Sequence, residues 1–486
     1  MIQTIGGKGA NMIMQLVLTY LLDPAEWGVV ALAWSFAVFI GIIQSSGMND
    51  VLVHRQSDLV RLANPGFWLS MTLGLVAAGL LAGLVPFASG IFGEPRLPGL
   101  LLVIASSYPL HALSVVPKAQ LRSALRFRFI ATTEIVFASL QAVLSVVFAL
   151  LDFGAYSFVL PVPIIALVRG IFLWAATRPP IRWNPQFGLW RLLWADGMLV
   201  LIAAFAHAAA SKGDQFVLGL FHDDRTLIGL YFWGFSLSLQ TMQLLGQNLT
   251  NVLFPALARL QDDPPRQVAA FLRAARAMGV VGVPVCLLQA ALADPVIHIV
   301  FPAKWYPAIP IVQILSIGMA LRLVATPAES MLKAGGRWIA NLAFAIAYAV
   351  VFVLMTGAAA ASGGIVLVAA AVTLCYAIMW PIAIRVAIAR GGGRWRDVLR
   401  IYVPLVPIAL LAVGPITLVA HRLPEMPGRA WVQVALVLVV GAAAYLPLAM
   451  RYCRQETSEL ASLFIAVFRG RFRRAAPMPE VDPRSR

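Results

Sequence analysis

Val434–Val440 reads VALVLVV, seven apolar residues in succession with no polar position to mark a second face. A strand of a membrane barrel alternates apolar and polar side chains over about ten residues, one set toward lipid and the other toward the lumen. Neither this run nor Leu410–Val413 alternates. The element that fits is a helix apolar on every side, as in a membrane span. Widened outward, the run occupies residues 430–449, and about 20 mostly apolar residues cross a bilayer. Fourteen windows of this kind recur, at 3–22, 27–48, 67–89, 99–116, 129–151, 156–177, 196–220, 228–252, 277–300, 307–332, 338–357, 363–384, 402–420 and 430–449. Because the pattern continues far past the first window, that window reads as a span and not as a lone signal peptide.

Composition agrees with the bilayer as solvent. Of the 486 residues, 60% are hydrophobic and 12% charged, with a mean hydropathy of +0.84. Soluble domains carry roughly 25% charged residues, so too few charges are present to cover a surface in water. A net charge of +16 would point to nucleic acid in a soluble chain, but here its distribution points to topology. With the N-terminus and the even-numbered connections on one side, 28 of the 37 Lys and Arg fall on that side. Arg96, Arg225, Lys304, Arg422 and Arg429 fall opposite, and Lys8, Arg169, Lys212 and Arg322 lie inside windows. This is the positive-inside rule for a chain with both termini in the cytoplasm. A miscounted span would blur the bias, because every connection downstream would change sides. Cys286, Cys375 and Cys453 have no CxxC spacing; they read as small apolar residues, with no metal site and no disulfide framework.

Two segments read as interfacial. Trp183, Phe187, Trp190 and Trp194 recur at helical spacing with Arg182 and Arg191 for a polar side, which predicts a helix lying on the cytoplasmic leaflet. Leu460, Leu463, Phe464, Val467 and Phe468 repeat the design ahead of a basic run, Arg469–Arg474, suited to anionic lipid. A repeat is also visible. Leu22–Ser35 (LDPAEWGVVALAWS) aligns without gaps on Asp223–Ser236 (DDRTLIGLYFWGFS) at an offset of 201, with Gly28 on Gly229. Ile91-Phe92 resembles Val300-Phe301 at an offset of 209. Six windows separate the copies, an even number, so both insert the same way up, as in transporters whose halves are related by an axis along the membrane normal.

At the repeat the sequence resembles the polysaccharide flippases, the O-antigen and exopolysaccharide exporters of the multidrug/oligosaccharidyl-lipid/polysaccharide (MOP) superfamily. The matching blocks are Leu21–Gly28 (LLDPAEWG), Gly47 with Val51–Arg55 (VLVHR), and Val116–Arg128 (VPKAQLRSALRFR) with Glu134. Gly154–Ser157 (GAYS), Asp214–Gly219 (DQFVLG), Gly229–Tyr231 (GLY) and Phe254–Asp262 (FPALARLQD) follow. Phe301–Ile314 (FPAKWYPAIPIVQI) and Ala334–Arg337 (AGGR) complete the series in the family's order across windows one to eleven. Two features depart from the pattern: Met1 nearly begins window one, where the family has a basic segment, and Pro302 stands where Gly is usual. The resemblance implies an all-α polytopic membrane protein of the bacterial inner membrane, with two six-helix lobes in parallel repeat, two appended helices and both termini inside. The expected divisions are an N-terminal lobe at 1–178, an amphipathic linker at 179–195, a second lobe at 196–390, helices thirteen and fourteen at 391–449, and a basic tail at 450–486. The implied cargo is an oligosaccharide on a polyprenyl diphosphate, moved through a central cavity.

Charges inside spans are the candidates for chemistry, since one ionised side chain at the bilayer centre costs roughly 2.5–3.5 kcal/mol on the insertion scale. Arg322 lies ten residues from the window's end at Leu332, about 15 Å at 1.5 Å per residue, and Glu329 on the same face is placed to pair with it. Arg169 lies in a span that Pro161 and Pro163 are expected to bend. Lys212 shares window seven with His207 and Asp214, which lie seven residues apart on one face. Lys8 and Glu134 lie nearer the cytoplasmic edge. One reading has Arg322, Arg169, Lys212 and Lys8 line a cationic cavity for the diphosphate, Arg by its planar fork and Lys as a point charge. Asp214, Glu134, His207 and Glu329 are then candidates for coupling H+ or Na+. The other reading is interhelical pairing or snorkelling. No GxxxxGK[ST] sequence is present to cradle ATP, and no cofactor is implied. A membrane glycosyltransferase or polymerase would need a large outer loop, whereas the longest outer connection is about ten residues around Arg422–Arg429. A drug/cation antiporter would need a carboxylate-dominated cavity, and a scaffold would need no buried charges. The expectation is a transporter and not an enzyme.

Overall fold

The computed structural model describes residues 2–45, 47–424, 428–453 and 457, with backbone only at some helical positions such as 2–8, 195–197 and 247–252. Among the described residues the chain is helical, with no strand. The first group comprises α1 (Ile2–Leu21), α2 (Pro24–Ser45), α3 (Met48–His54), α4 (Leu59–Phe92), α5 (Leu97–Ala112), α6 (Val115–Ser123), α7 (Phe127–Leu150), α8 (Tyr156–Val159) and α9 (Pro161–Thr177). The second comprises α10 (Trp190–Phe221), α11 (Arg225–Ala258), α12 (Pro264–Val300), α13 (Ile309–Ala325), α14 (Pro327–Ala334), α15 (Trp338–Ser362) and α16 (Ile365–Ile388). Last come α17 (Trp395–His421) and α18 (Arg429–Tyr452), which pack on each other and on α12. Among the described residues ten helices are long and apolar enough to cross a membrane, or eleven if the bent pair α5–α6 is one span. Leu354, Leu411 and Val439 are among the large apolar side chains left exposed on the outer surface, which lipid accommodates and water does not.

Each sequence window contains a helix or a broken helix, and the differences lie at the ends. The 37 residues of α12 extend about 55 Å at 1.5 Å per residue, well beyond a hydrocarbon core of about 30 Å. Hydropathy marks only the part in lipid, while the helix continues into water. Windows four, six and ten are interrupted, the sixth at Leu160, and the fourth and the tenth occupy corresponding places of the repeat. α5 and α6 bend by 43° across Leu113-Ser114, and Trp174 Nε1 donates to the carbonyl of Leu113 at 2.7 Å, satisfying a group the break exposes. α13 gives way to α14 at Thr326, ahead of Pro327, which has no N–H to continue the ladder.

The aligned glycines meet. A β-carbon on Gly28 would overlap the carbonyl oxygen of Arg225, and one on Gly229 would overlap that of Pro24. Pro24 and Arg225 are themselves 201 positions apart, so α2 and α11 cross as two copies of one contact. Only residues without a β-carbon allow backbones this close.

One expectation is corrected. The stripe from Trp183 to Trp194 is not a single helix: residues 178–186 are non-helical, a 3-10 turn covers Phe187–Leu189, and α10 starts at Trp190. Pro179, Pro180 and Pro185 withhold the donors a helix needs. Asn64 and Trp68 of α4 hold the extended strap instead, through Asn64 Oδ1 accepting from the Arg182 N–H at 2.8 Å and Trp68 Nε1 donating to the Arg182 carbonyl at 2.8 Å. The amphipathic tail expected over Leu460–Phe468, with Arg469–Arg474, lies outside the described residues.

Candidate functional site

α1 and α11 meet along a seam that is shut at one end and open at the other. At the shut end Trp305, with none of its surface exposed, donates from Nε1 to the Thr19 carbonyl at 2.9 Å. Trp233 donates from Nε1 to Thr19 Oγ1 at 3.0 Å, and its ring stacks on Trp305 with centroids 4.8 Å apart. Trp27 closes on Trp305 edge to face at 5.7 Å. Charged ties between the two helix groups surround this plug. Lys304 Nζ reaches Asp23 Oδ1 at 3.1 Å, and Arg225 pairs with Glu94 at 3.8 Å while donating to the Phe92 carbonyl. Toward the other end Gln240 Nε2 donates to Gln15 Oε1 at 2.7 Å, and a small cleft opens, lined by Asn11, Met12, Gln15, Gln240, Gln243 and Leu244.

The charged candidates form two clusters. In the first group of helices, Glu134 of α7 takes an ion pair from Lys118 of α6 at 2.6 Å and another from Arg169 of α9 at 3.6 Å. His111 lies within their electrostatic reach, its Nδ1 2.6 Å from the Ser107 carbonyl oxygen. The break after α5 is what turns Lys118 back toward Glu134. In the second group Asp214 of α10 is fully buried and accepts from the Tyr231 hydroxyl of α11 at 2.7 Å. Lys212 donates to Gln215 Oε1 at 3.2 Å and lies over the Phe232 ring at 5.0 Å. Arg322 of α13 donates to the Tyr376 hydroxyl at 3.1 Å, with its guanidinium 5.3 Å from the Tyr376 ring and 5.4 Å from the Trp380 ring, both on α16. Arg322 Nε and Trp380 Nε1 are buried with no hydrogen-bond partner among the described residues.

Arg169 thus bonds within the first cluster, while Lys212 and Arg322 lie in the second, both within electrostatic reach of Asp214. Arg322 does not pair with Glu329. Glu329 instead binds Lys333 at 2.5 Å, one turn along α14, because the break at Thr326 interrupts the face the two would have shared. His207 and Asp214 do share a face of α10, but His207 is exposed and Asp214 sealed. The side chain of Lys8 lies outside the described residues. Sequence reasoning missed Lys118, counted there as a connection charge, and the aromatic partners Tyr231, Tyr376 and Trp380. It also missed the amides, since neutral residues carry no insertion penalty large enough to stand out.

Fold and site define a class: an all-helical membrane protein whose two repeat-related helix groups meet over a cleft plugged at one end. Residues 17–310, more than half of the chain, match the family model described as polysaccharide biosynthesis protein, and the chain belongs to that family. ExoT of Rhizobium meliloti (strain 1021), a succinoglycan biosynthesis transport protein, is 26% identical over 321 residues, 65% of this chain and 64% of ExoT. The chain therefore spans a little under two thirds of that relative's length. The solved structure of lipid II flippase MurJ in an inward closed conformation has a TM-score of 0.76 at 12% identity, covering 93% of this chain and 98% of MurJ. An inward-facing multidrug resistance MATE family transporter of the MOP superfamily scores 0.65 at 13% identity over 81% of this chain and 95% of its own. At such identities the likeness is one of fold. The family resemblance carried by the motifs is borne out, and the chain is a multi-pass protein of the bacterial inner membrane.

Proposed function

We propose that this protein flips oligosaccharide linked to a polyprenyl diphosphate across the inner membrane, for O-antigen or exopolysaccharide synthesis, by alternating access. The observation that carries the reading is the interlobe seam, plugged by Trp27, Trp233 and Trp305 at one end and open beside Gln15 and Gln240 at the other. In this reading residues 1–178 and 196–390 are the lobes, 179–195 the linker, 391–449 the appended helices and 450–486 a tail on anionic lipid. Fourteen spans place both termini in the cytoplasm and the tryptophan plug at the outer face. A sugar headgroup cannot cross hydrocarbon unaided, because each polar group buried without a hydrogen bond costs roughly 2–7 kcal/mol. A polar path between the lobes replaces that solvation while the polyprenyl chain stays in lipid. Arg169, Lys212, Arg322 and Lys8 serve the diphosphate, and Asp214, Glu134, His207 and Glu329 are the groups available to couple H+ or Na+. In this reading the cargo crosses with no bond made or broken, so the protein acts as a transporter and not as an enzyme.

Deletion of the gene is expected to trap lipid-linked repeat on the inner leaflet and abolish the exported polymer, measured by lipid extraction and polymer assay. A drug/cation antiporter is the second reading, favoured by the shared MATE fold and the sealed Asp214–Tyr231 pair. Deletion would then sensitise cells to organic cations with the polymer intact. Topology has its own test. Cys453 is buried, so a thiol is better introduced at Trp183, which is 94% exposed. Trp183→Cys is expected to react with a membrane-impermeant reagent only after the inner membrane is opened. Labelling in intact cells with a permeable outer membrane would refute both termini inside.

A further inference from the structure

The repeat allows a comparison within the molecule. At the offset of 201, α1 and α2 correspond to α10 and α11, so the seam between α1 and α11 corresponds to the seam between α10 and α2. Gln15 takes the place of Phe216, and Gln240 the place of Phe39. In one seam the two amides share a hydrogen bond of 2.7 Å. In the other the Phe39 and Phe216 rings meet at 6.2 Å, with Phe39 also on Phe205 at 5.4 Å and Phe36 on Phe216 at 5.2 Å. A phenylalanine pair therefore fills the equivalent position where α2 and α10 pack. An amide pair carries a desolvation cost that rings do not, so what the first seam retains is hydrogen-bonding capacity.

The lining around the pair carries that capacity further. Asn11, Gln15, Gln240 and Gln243 each bring two N–H donors and a carbonyl acceptor, so each meets a hydroxyl in either direction. Among the described residues no charged side chain belongs to the lining, and Met12 and Leu244 add apolar surface. That combination suits a neutral, hydroxyl-rich ring with an apolar C–H face, and it suits neither a phosphate nor an organic cation. Along α1 the exposure falls from Asn11 through Gln15 to the buried Thr19, so a headgroup entering the open end meets the amides before the tryptophan plug. Exchange of the Gln15–Gln240 bond for amide–hydroxyl bonds conserves the hydrogen-bond count and so costs little. The cargo itself can then loosen the seam.

We infer that this amide strip is a sugar-reading subsite, in which Asn11, Gln15, Gln240 and Gln243 recognise the hydroxyls of the oligosaccharide and select which repeat unit is moved. The inference rests on the flippase reading, and the experiment separates the two. Gln15→Phe/Gln240→Phe installs here the pair that the opposite seam already accommodates. Wild type and variant are reconstituted in vesicles with two probes: lipid-linked repeat extracted from the producing strain, and the one-sugar lipid diphosphate from a strain blocked at the next glycosyl transfer. The variant is expected to fall about tenfold or more on the full repeat and by a smaller factor on the one-sugar probe, which brings fewer hydroxyls to the strip, as a site built for hydroxyls does when its partners are lost. If wild type moves neither probe, the flippase reading fails. If wild type moves the repeat and the variant moves it equally, the subsite is overturned and the flippase reading stands. Equal loss of both probes also overturns the subsite, because the amides then serve the transport cycle and not the sugar, as does a wild type that moves only the one-sugar probe. Should the double variant not accumulate, Gln243→Leu on the cleft wall is assayed with the same two probes. Selective loss of the full repeat then supports the subsite, and unchanged or equally reduced transport of both probes overturns it.

Discussion

Glu134 stands between Lys118 and Arg169 in a partly exposed ion-pair group, whereas Arg322 is held by a tyrosine hydroxyl and two aromatic rings, with no carboxylate bonded to it among the described residues. Both clusters carry cations inside spans, yet the first bonds its cations to a carboxylate, whereas in the second neutral groups make the direct contacts to Arg322 and Asp214 acts on it only at a distance. Partly exposed ion pairs contribute about 0–1 kcal/mol, so the first cluster adds little to stability and leaves two cations facing one anion. A guanidinium over aromatic faces gains about 2 kcal/mol or more once desolvated, and its charge stays available to an anion. The difference teaches that a buried cation is best judged by what holds it. A carboxylate partner competes with an anionic cargo, and an aromatic cage does not.

Substitution of Arg322 is expected to have the largest effect. Arg322→Gln should lower translocation of lipid-linked repeat about tenfold or more, since hydrogen bonds to charged groups are worth about 1.5–3 kcal/mol, with protein abundance unchanged. Arg322→Lys should fall between, because it keeps charge but loses the fork. Equal transport by Arg322→Lys and wild type would remove the geometric half of the contrast. Tyr231→Phe comes next. It deprives the sealed Asp214 of a 2.7 Å hydrogen bond, and thermal unfolding of the purified protein should show a loss of about 1–3 kcal/mol. An unchanged melting temperature would mean that the second cluster is no more demanding than the first. Smallest are the carboxylates with exposed pairs. Glu134→Gln should cost less than about 1 kcal/mol, and Glu329→Gln, which breaks only the i,i+4 pair with Lys333, about 0.3–0.5 kcal/mol. A large loss of stability in Glu134→Gln would erase the comparison.

Much of the architecture was legible without coordinates. Runs such as Val434–Val440 required helices in lipid, since no other open element satisfies its own backbone there. The offset of 201 placed Gly28 on Gly229, and the structure then showed that these two glycines are where α2 and α11 cross. The segment after Arg178 was misread for a local reason. Aromatic spacing spoke for a helix, but Pro179, Pro180 and Pro185 removed the donors, and Asn64 captured the strap. Periodicity reports which face is apolar, and it says nothing about whether the backbone can close its hydrogen bonds.

By itself the sequence determined the solvent, the helical class, the repeat and the shortlist of intramembrane charges, because each follows from composition or from spacing along one helix. The tertiary structure alone decided that Glu329 binds Lys333 and not Arg322, that Lys118 turns back to Glu134, and that Gln15 faces Gln240 across 225 positions of chain. Those pairings depend on where α5 and α13 break and on how α1 and α11 cross. Such geometry arises when helices distant in the chain pack together, and no periodicity within a single helix encodes it.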